Sequence, residues 1–210
     1  MSDTIVLKCV LLGESAVGKT SLINRFINGK FDKDPNATIV GCYSPKEIFY
    51  EKENKKIRYE VWDTAGQEKY RAINKIFYQE ASVNILVYDI TKKDSFNGLK
   101  DYWIEEIKEN APENSIIIIV GNKRDLYELE EVDEDDVKQF CKSVDAFYKQ
   151  TSAQTGEGVD ELFDMIAKQV LTPENLEVLG KNDNKKVGKY KTESSFTSHD
   201  TNQQKKKKCC

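Results

Sequence analysis

Eight consecutive residues constrain this chain more than any others. Gly13-Glu14-Ser15-Ala16-Val17-Gly18-Lys19-Thr20 fills the pattern G-x-x-x-x-G-K-[ST] without a mismatch. Residues 5–12 ahead of it are an apolar run rich in branched side chains, as a buried strand requires. In residues 21–28 behind it, Leu22, Ile23, Phe26 and Ile27 recur at helical intervals, and Gly29 supplies a stop. A strand that enters a glycine-rich turn and leaves as a helix directs the turn's N–H groups at one point, beside the positive end of the helix. The spacing predicts a phosphate cradle in which Lys19 spans the terminal phosphates and Thr20 offers its hydroxyl to Mg²⁺, with Ser21 next to it.

The rest of the chain reads as alternating strands and helices. Residues 31–45, with Pro35, Gly41 and Pro45, read as irregular. Residues 47–51 and 57–62 flank a charged turn and predict an antiparallel hairpin. Residues 83–89 and 116–121 are strand-like. Between them Phe96, Leu99, Trp103, Ile104 and Ile107 predict one helix. Residues 133–144 and 159–170 are amphipathic, separated by the short run 146–148. This order predicts an α/β layer fold around a mostly parallel sheet, with ligands bound beyond the carboxyl ends of the strands. The periodicity ends near Leu171, so residues 4–170 are expected to form one domain and 171–210 a disordered polar tail.

Three further post-strand segments carry chemistry. Asn122-Lys123-Arg124-Asp125 follows the isoleucine-rich strand, where a carboxylate from Asp125 can accept from both N1–H and the exocyclic amine of guanine. Adenine offers no such donor pair. Lys123 can lay its stem across a purine face, and Thr151-Ser152-Ala153 is small enough for backbone N–H groups to approach the base oxygen. In Trp62-Asp63-Thr64-Ala65-Gly66-Gln67-Glu68, Asp63 can hold a Mg²⁺-bound water, Gly66 can turn its N–H to a terminal phosphate, and Gln67 can orient an attacking water. Thr38 is a candidate second hydroxyl ligand.

Other chemistries are excluded by count. The single histidine, His199, lies in the tail, so the body holds no Ser-His-Asp or Cys-His nucleophile and no histidine-based zinc site. Cys9, Cys42 and Cys141 have no paired spacing, which argues against a disulfide framework. No apolar run is long enough to span a bilayer, and the first residues lack the pattern of a signal peptide. The formal charge of −4 is uneven: residues 1–170 are acidic and residues 171–210 basic. An acidic body argues against nucleic acid as a partner; a basic tail argues for an acidic surface. A nucleoside kinase on a similar scaffold needs a lid with clustered arginines, whereas the body has only Arg25, Arg58, Arg71 and Arg124. A binding module that holds nucleotide without hydrolysing it is opposed by Gln67 and the two threonine hydroxyls.

Taken together, these motifs resemble those of the Ras-superfamily small GTPases and, within them, the Rab group, over about residues 4–170. The resemblance implies the P-loop NTPase three-layer fold: a six-stranded, mostly parallel sheet with one antiparallel edge hairpin and helices on both faces. It implies a GTP-hydrolysing switch in vesicle trafficking, with GTP or GDP and Mg²⁺ bound. Residues 13–21, Phe31, Thr38, Gly66, Asn122, Lys123, Asp125, Leu126, Ser152 and Ala153 would hold nucleotide. Thr20, Thr38 and Asp63 would serve the metal, and Lys19, Gly66 and Gln67 catalysis. Phe31 would stack against the guanine edge, Thr38 would sense the γ-phosphate, and residues 64–78 would form the second switch.

The implied partners are an exchange factor, a GTPase-activating protein, escort and prenylation machinery, a GDP-dissociation inhibitor and effectors. Lys205 to Lys208 followed by Cys209 and Cys210 resembles the doubly geranylgeranylated end of Rabs. Two lipids with a basic patch hold stably on an anionic leaflet, which implies the cytosolic face of an intracellular membrane. Three features depart from the usual Rab pattern: the glycine of Ile39-Val40-Gly41-Cys42-Tyr43 is shifted by one, the hairpin reads longer, and Phe77-Tyr78-Gln79-Glu80 is less basic. Trp62, with Tyr43 and Phe77, reads either as part of an exposed aromatic trio or as core.

Overall fold

The computed structural model describes residues 4–33, 38, 41–65 and 71–172. Six strands, β1 (Thr4–Leu12), β2 (Cys42–Tyr50), β3 (Lys55–Asp63), β4 (Val83–Asp89), β5 (Ile116–Asn122) and β6 (Phe147–Gln150), form one sheet in the order β2-β3-β1-β4-β5-β6. All pairings are parallel except β2 with β3. The helices are α1 (Lys19–Asn28), α2 (Arg71–Tyr78), α3 (Lys93–Gly98), α4 (Ile104–Asn110), α5 (Glu134–Ser143) and α6 (Val159–Val170).

The central strands are apolar on both faces because both are covered. Leu7, Cys9 and Leu11 of β1 pack with Ile85 and Val87 of β4 against Leu22, Ile23 and Phe26 of α1 and Leu162, Phe163 and Ile166 of α6. The alternate residues Val10, Leu12, Leu86 and Tyr88 face Phe96, Trp103, Ile107 and Val137 on the other side. Burial of a side chain the size of Leu22 or Ile166 is worth roughly 1.5–3 kcal/mol.

Two expectations need correction. β2 begins at Cys42 rather than in the high forties, so Pro45 lies inside a strand. It is tolerated because β2 is the sheet edge, where a missing N–H costs no ladder bond on the open side. The helix expected between β4 and β5 is interrupted by a π-helical turn, Leu99–Trp103, between α3 and α4. The wider turn carries one extra residue, and both Trp103 and its neighbour Ile104 stay buried against the sheet.

β3 and β4 both run parallel to β1 and lie on either side of it, so the order in which strands are added to the sheet switches sides there. The carboxyl ends of β1, β3, β4, β5 and β6 all open on one rim of the sheet.

Candidate functional site

That rim holds a cleft of about 430 Å³. At one end Lys19, only 5% exposed, donates from Nζ to the carbonyls of Gly13 and Glu14, each at 2.9 Å. Burial lowers its pKa to about 8, while the charges of Asp63 and Glu14 pull the other way. A buried ammonium held by carbonyl oxygens is suited to an incoming anion.

Next to it three side chains from different elements meet. Thr20 Oγ1 donates to Asp63 Oδ2 at 2.6 Å, Thr38 Oγ1 reaches the same oxygen at 3.1 Å, and the two hydroxyls are 2.8 Å apart. Asp63 is buried, its pKa raised by desolvation and held back by Thr20, Lys19 and Thr38. Its Oδ1 is buried without a hydrogen bond among the described residues. An all-oxygen set with a carboxylate lone pair to spare fits a small hard cation such as Mg²⁺.

At the other end Asn122 ties three loops together. Its Nδ2 donates to Val17 O at 2.9 Å, and its Oδ1 accepts from Ala153 N at 3.2 Å and Thr151 Oγ1 at 3.3 Å. A Cβ on Gly18 would lie 2.3 Å from Asn122 Nδ2, so glycine is required there by close approach as well as by its φ of +96°. Asp125 accepts from Ser152 Oγ at 2.5 Å. Lys123, at φ +68°, places Nζ 2.7 Å from Oδ2 of the fully buried Asp89, whose Oδ1 accepts from Thr91 N and Oγ1.

Phosphate-type and base-type motifs thus share one cleft. The sequence model of the Ras family matches residues 8–172. The chain belongs to the Ras family. It is similar to human Ras-related protein Rab-22A, 39% identical over 164 residues, covering 78% of this chain and 83% of that protein. Rat Ras-related protein Rab-31 gives the same identity and coverage. The GTP-binding protein ypt5 of Schizosaccharomyces pombe is 40% identical over 168 residues, with 80% of this chain and 79% of that protein covered. This Ras-family chain is a Rab-type GTPase of membrane trafficking, which binds guanine nucleotide and works through regulators and effectors.

In this Rab-type chain, Ser15, Ala16, Gly18, Lys19, Thr20, Ser21, Phe31, Thr38, Asn122, Lys123, Asp125, Leu126 and Ala153 line the cleft. Gly13, Glu14, Val17 and Ser152 are not among its lining residues; Val17 is core, and Ser152 lies buried behind Asp125. Gly66, Gln67, Cys209 and Cys210 lie outside the described residues. Asp32, Lys33 and Gln154 also line the cleft and carried no motif to mark them, and Thr64 lines it too, inside the 62–68 motif but given no binding role there. Asp89 was legible as a strand end within the Rab-like segment Val87-Tyr88-Asp89-Ile90-Thr91, with no role at the site assigned to it. Trp62 is half-buried, with its ring centroid 5.1 Å from that of Tyr43 and 5.4 Å from that of Phe77. No helix among the described residues is long and apolar enough to cross a membrane.

Proposed function

We propose that the cleft binds GTP or GDP with Lys19 and the 13–18 loop on the phosphates and Asp125 on the guanine edge. In this reading Thr20, Thr38 and Asp63 hold Mg²⁺. The convergence of those three side chains beside Lys19, in the cleft that also contains Asn122, Lys123 and Asp125, carries the reading. Bound Mg²⁺ would supply charge neutralisation on the phosphate oxygens. Lys19 offsets developing negative charge on the transferring group, Gly66 gives an N–H to the terminal phosphate, and Gln67 orients the water that attacks it.

Thr38 is the part that distinguishes triphosphate from diphosphate. Its hydroxyl reaches the Thr20–Asp63 pair from the stretch between α1 and β2, so loss of the terminal phosphate releases that stretch and ends effector binding. No arginine is assigned by sequence to the transferring phosphate, so turnover is slow alone. A GTPase-activating partner raises it by up to ~10⁵, about 7 kcal/mol of barrier.

Residues 4–170 are the switch and residues 171–210 its tether. The four lysines at 205–208 and the thiols of Cys209 and Cys210 support lipidation and attachment to the cytosolic face of an intracellular membrane. Prenylation machinery and a GDP-dissociation inhibitor are then needed to load and retrieve it.

Nucleotide competition with Asp125→Asn tests the base assignment. The parent should prefer GTP to ATP, and the variant should shift toward xanthine nucleotide, because the amide reverses one donor–acceptor pair. A parent that binds ATP more tightly than GTP would sink the reading.

A further inference from the structure

Arg25 lies on α1, six residues beyond Lys19, and spends its side chain on main-chain carbonyls. Nε donates to Ala153 O at 2.8 Å, Nη2 to Gln154 O at 2.5 Å and Nη1 to Gly29 O at 2.8 Å. Two of these acceptors belong to the loop after β6, about 130 positions away in sequence. That loop lines the base end of the cleft through Ala153 and Gln154.

The geometry has a consequence for the groups on the other side of the loop. A peptide unit is planar and trans, so its C=O and N–H point in opposite directions. Ala153 O and the N–H of Gln154 belong to one such unit. With the carbonyl drawn toward Arg25 on α1, the N–H of Gln154 is turned away from α1. The next carbonyl, of Gln154, is also drawn toward α1, while the N–H of its unit, Thr155 N, is held by Ser152 Oγ at 3.1 Å. Ala153 N is fixed by Asn122 Oδ1. The planar, permanently charged guanidinium suits this double contact, and it polarises the 153–154 peptide in the sense that strengthens its N–H as a donor.

We propose that Arg25 is a positioning residue for the 6-oxo group of guanine: from the helix that begins at the phosphates, it aims the Gln154 N–H at the base oxygen. The proposal rests on the guanine reading above and adds to it a determinant that never touches nucleotide. It also joins the phosphate-binding helix to the base loop mechanically, independently of Asn122.

The test is equilibrium binding of three diphosphates to the full chain: GDP, the 2-aminopurine riboside diphosphate that lacks the 6-oxo group, and IDP, which lacks the 2-amino group. Arg25→Gln should weaken GDP by about 10- to 100-fold and the 2-aminopurine analogue by less than about threefold, while the GDP-to-IDP ratio, set at Asp125, stays put. Arg25→Lys keeps a cation within reach of one carbonyl, and its preference for the 6-oxo group should fall between parent and Arg25→Gln. It also serves as the reporting variant if the glutamine form does not fold. Equal weakening of all three nucleotides would make Arg25 a brace only and overturn the proposal, as would unchanged GDP binding. A parent that binds the 2-aminopurine analogue as tightly as GDP overturns the guanine reading itself, and that outcome is visible before any variant is made.

Discussion

The ammonium of Lys123 lies 2.7 Å from the carboxylate of Asp89, a side chain with no exposure to solvent. Asp89 ends β4 and Lys123 follows β5, adjacent strands whose register pairs Asp89 with Asn122. The pair therefore pins the lysine by its tip and leaves its stem along the base end of the cleft. Asp89→Asn keeps an acceptor for Thr91 but removes the charge. It should cost roughly 1–2 kcal/mol of stability and speed GDP release about tenfold. Release followed with a fluorescent GDP, together with thermal denaturation, checks both; parent-like values in each would show that the ion pair has no such role.

Gly18 and Gly29 flank α1, and alanine at each should separate function from fold. A Cβ at Gly18 would strike Asn122, which links the phosphate loop to the base loop, whereas a Cβ at Gly29 meets nothing within 4 Å. Gly18→Ala should lose about 3 kcal/mol of nucleotide binding, roughly 100-fold in affinity. Gly29→Ala, strained only by its φ of +65°, should cost about 1 kcal/mol of stability and leave affinity alone. Equal affinities for the two variants would contradict the linkage through Asn122.

Thr20 supplies one of two hydroxyls to the Asp63 cluster. Thr20→Ala should raise the free Mg²⁺ needed to retain nucleotide by about tenfold or more, and Thr20→Ser should restore it. Nucleotide release titrated against free Mg²⁺ reads this directly. A titration indistinguishable from the parent would remove Thr20 from the metal set.

Gln67 is assigned by its place in the sequence motif. Gln67→Leu should depress partner-stimulated hydrolysis by about 10³-fold while nucleotide affinity is kept. Single-turnover assays with and without a GTPase-activating partner separate the two. Undiminished stimulated turnover would contradict the role given to this residue.

Much of the site was legible because its motifs are local. Gly13 to Thr20 needs a strand before it and a helix after it, and both are set by short-range apolar spacing. The antiparallel edge hairpin was expected from the family resemblance, but the start of its first strand at Cys42 was not, so Pro45 read as part of an irregular stretch although an edge strand accommodates it. The π-helical turn at Leu99–Trp103 also escaped, because Leu99, Trp103 and Ile107 fit a regular helical period just as well. What required the bulge was a sheet surface that must receive Trp103 and Ile104 together.

By itself, then, the sequence determined the class of fold, the family and the post-strand motifs proposed to meet phosphate and base, since each depends on residue types at short and fixed separations. Only the tertiary structure decided how those pieces act as one site. Arg25 finds the carbonyls of Ala153 and Gln154, Asn122 finds Val17, and Lys123 finds Asp89 because a parallel sheet brings distant strand ends to one rim. The physical reason is that contacts between groups far apart in sequence, most of them here from side chains to main-chain carbonyls, carry almost no sequence signature. Every residue offers the same carbonyl, and only packing says which one an arginine meets.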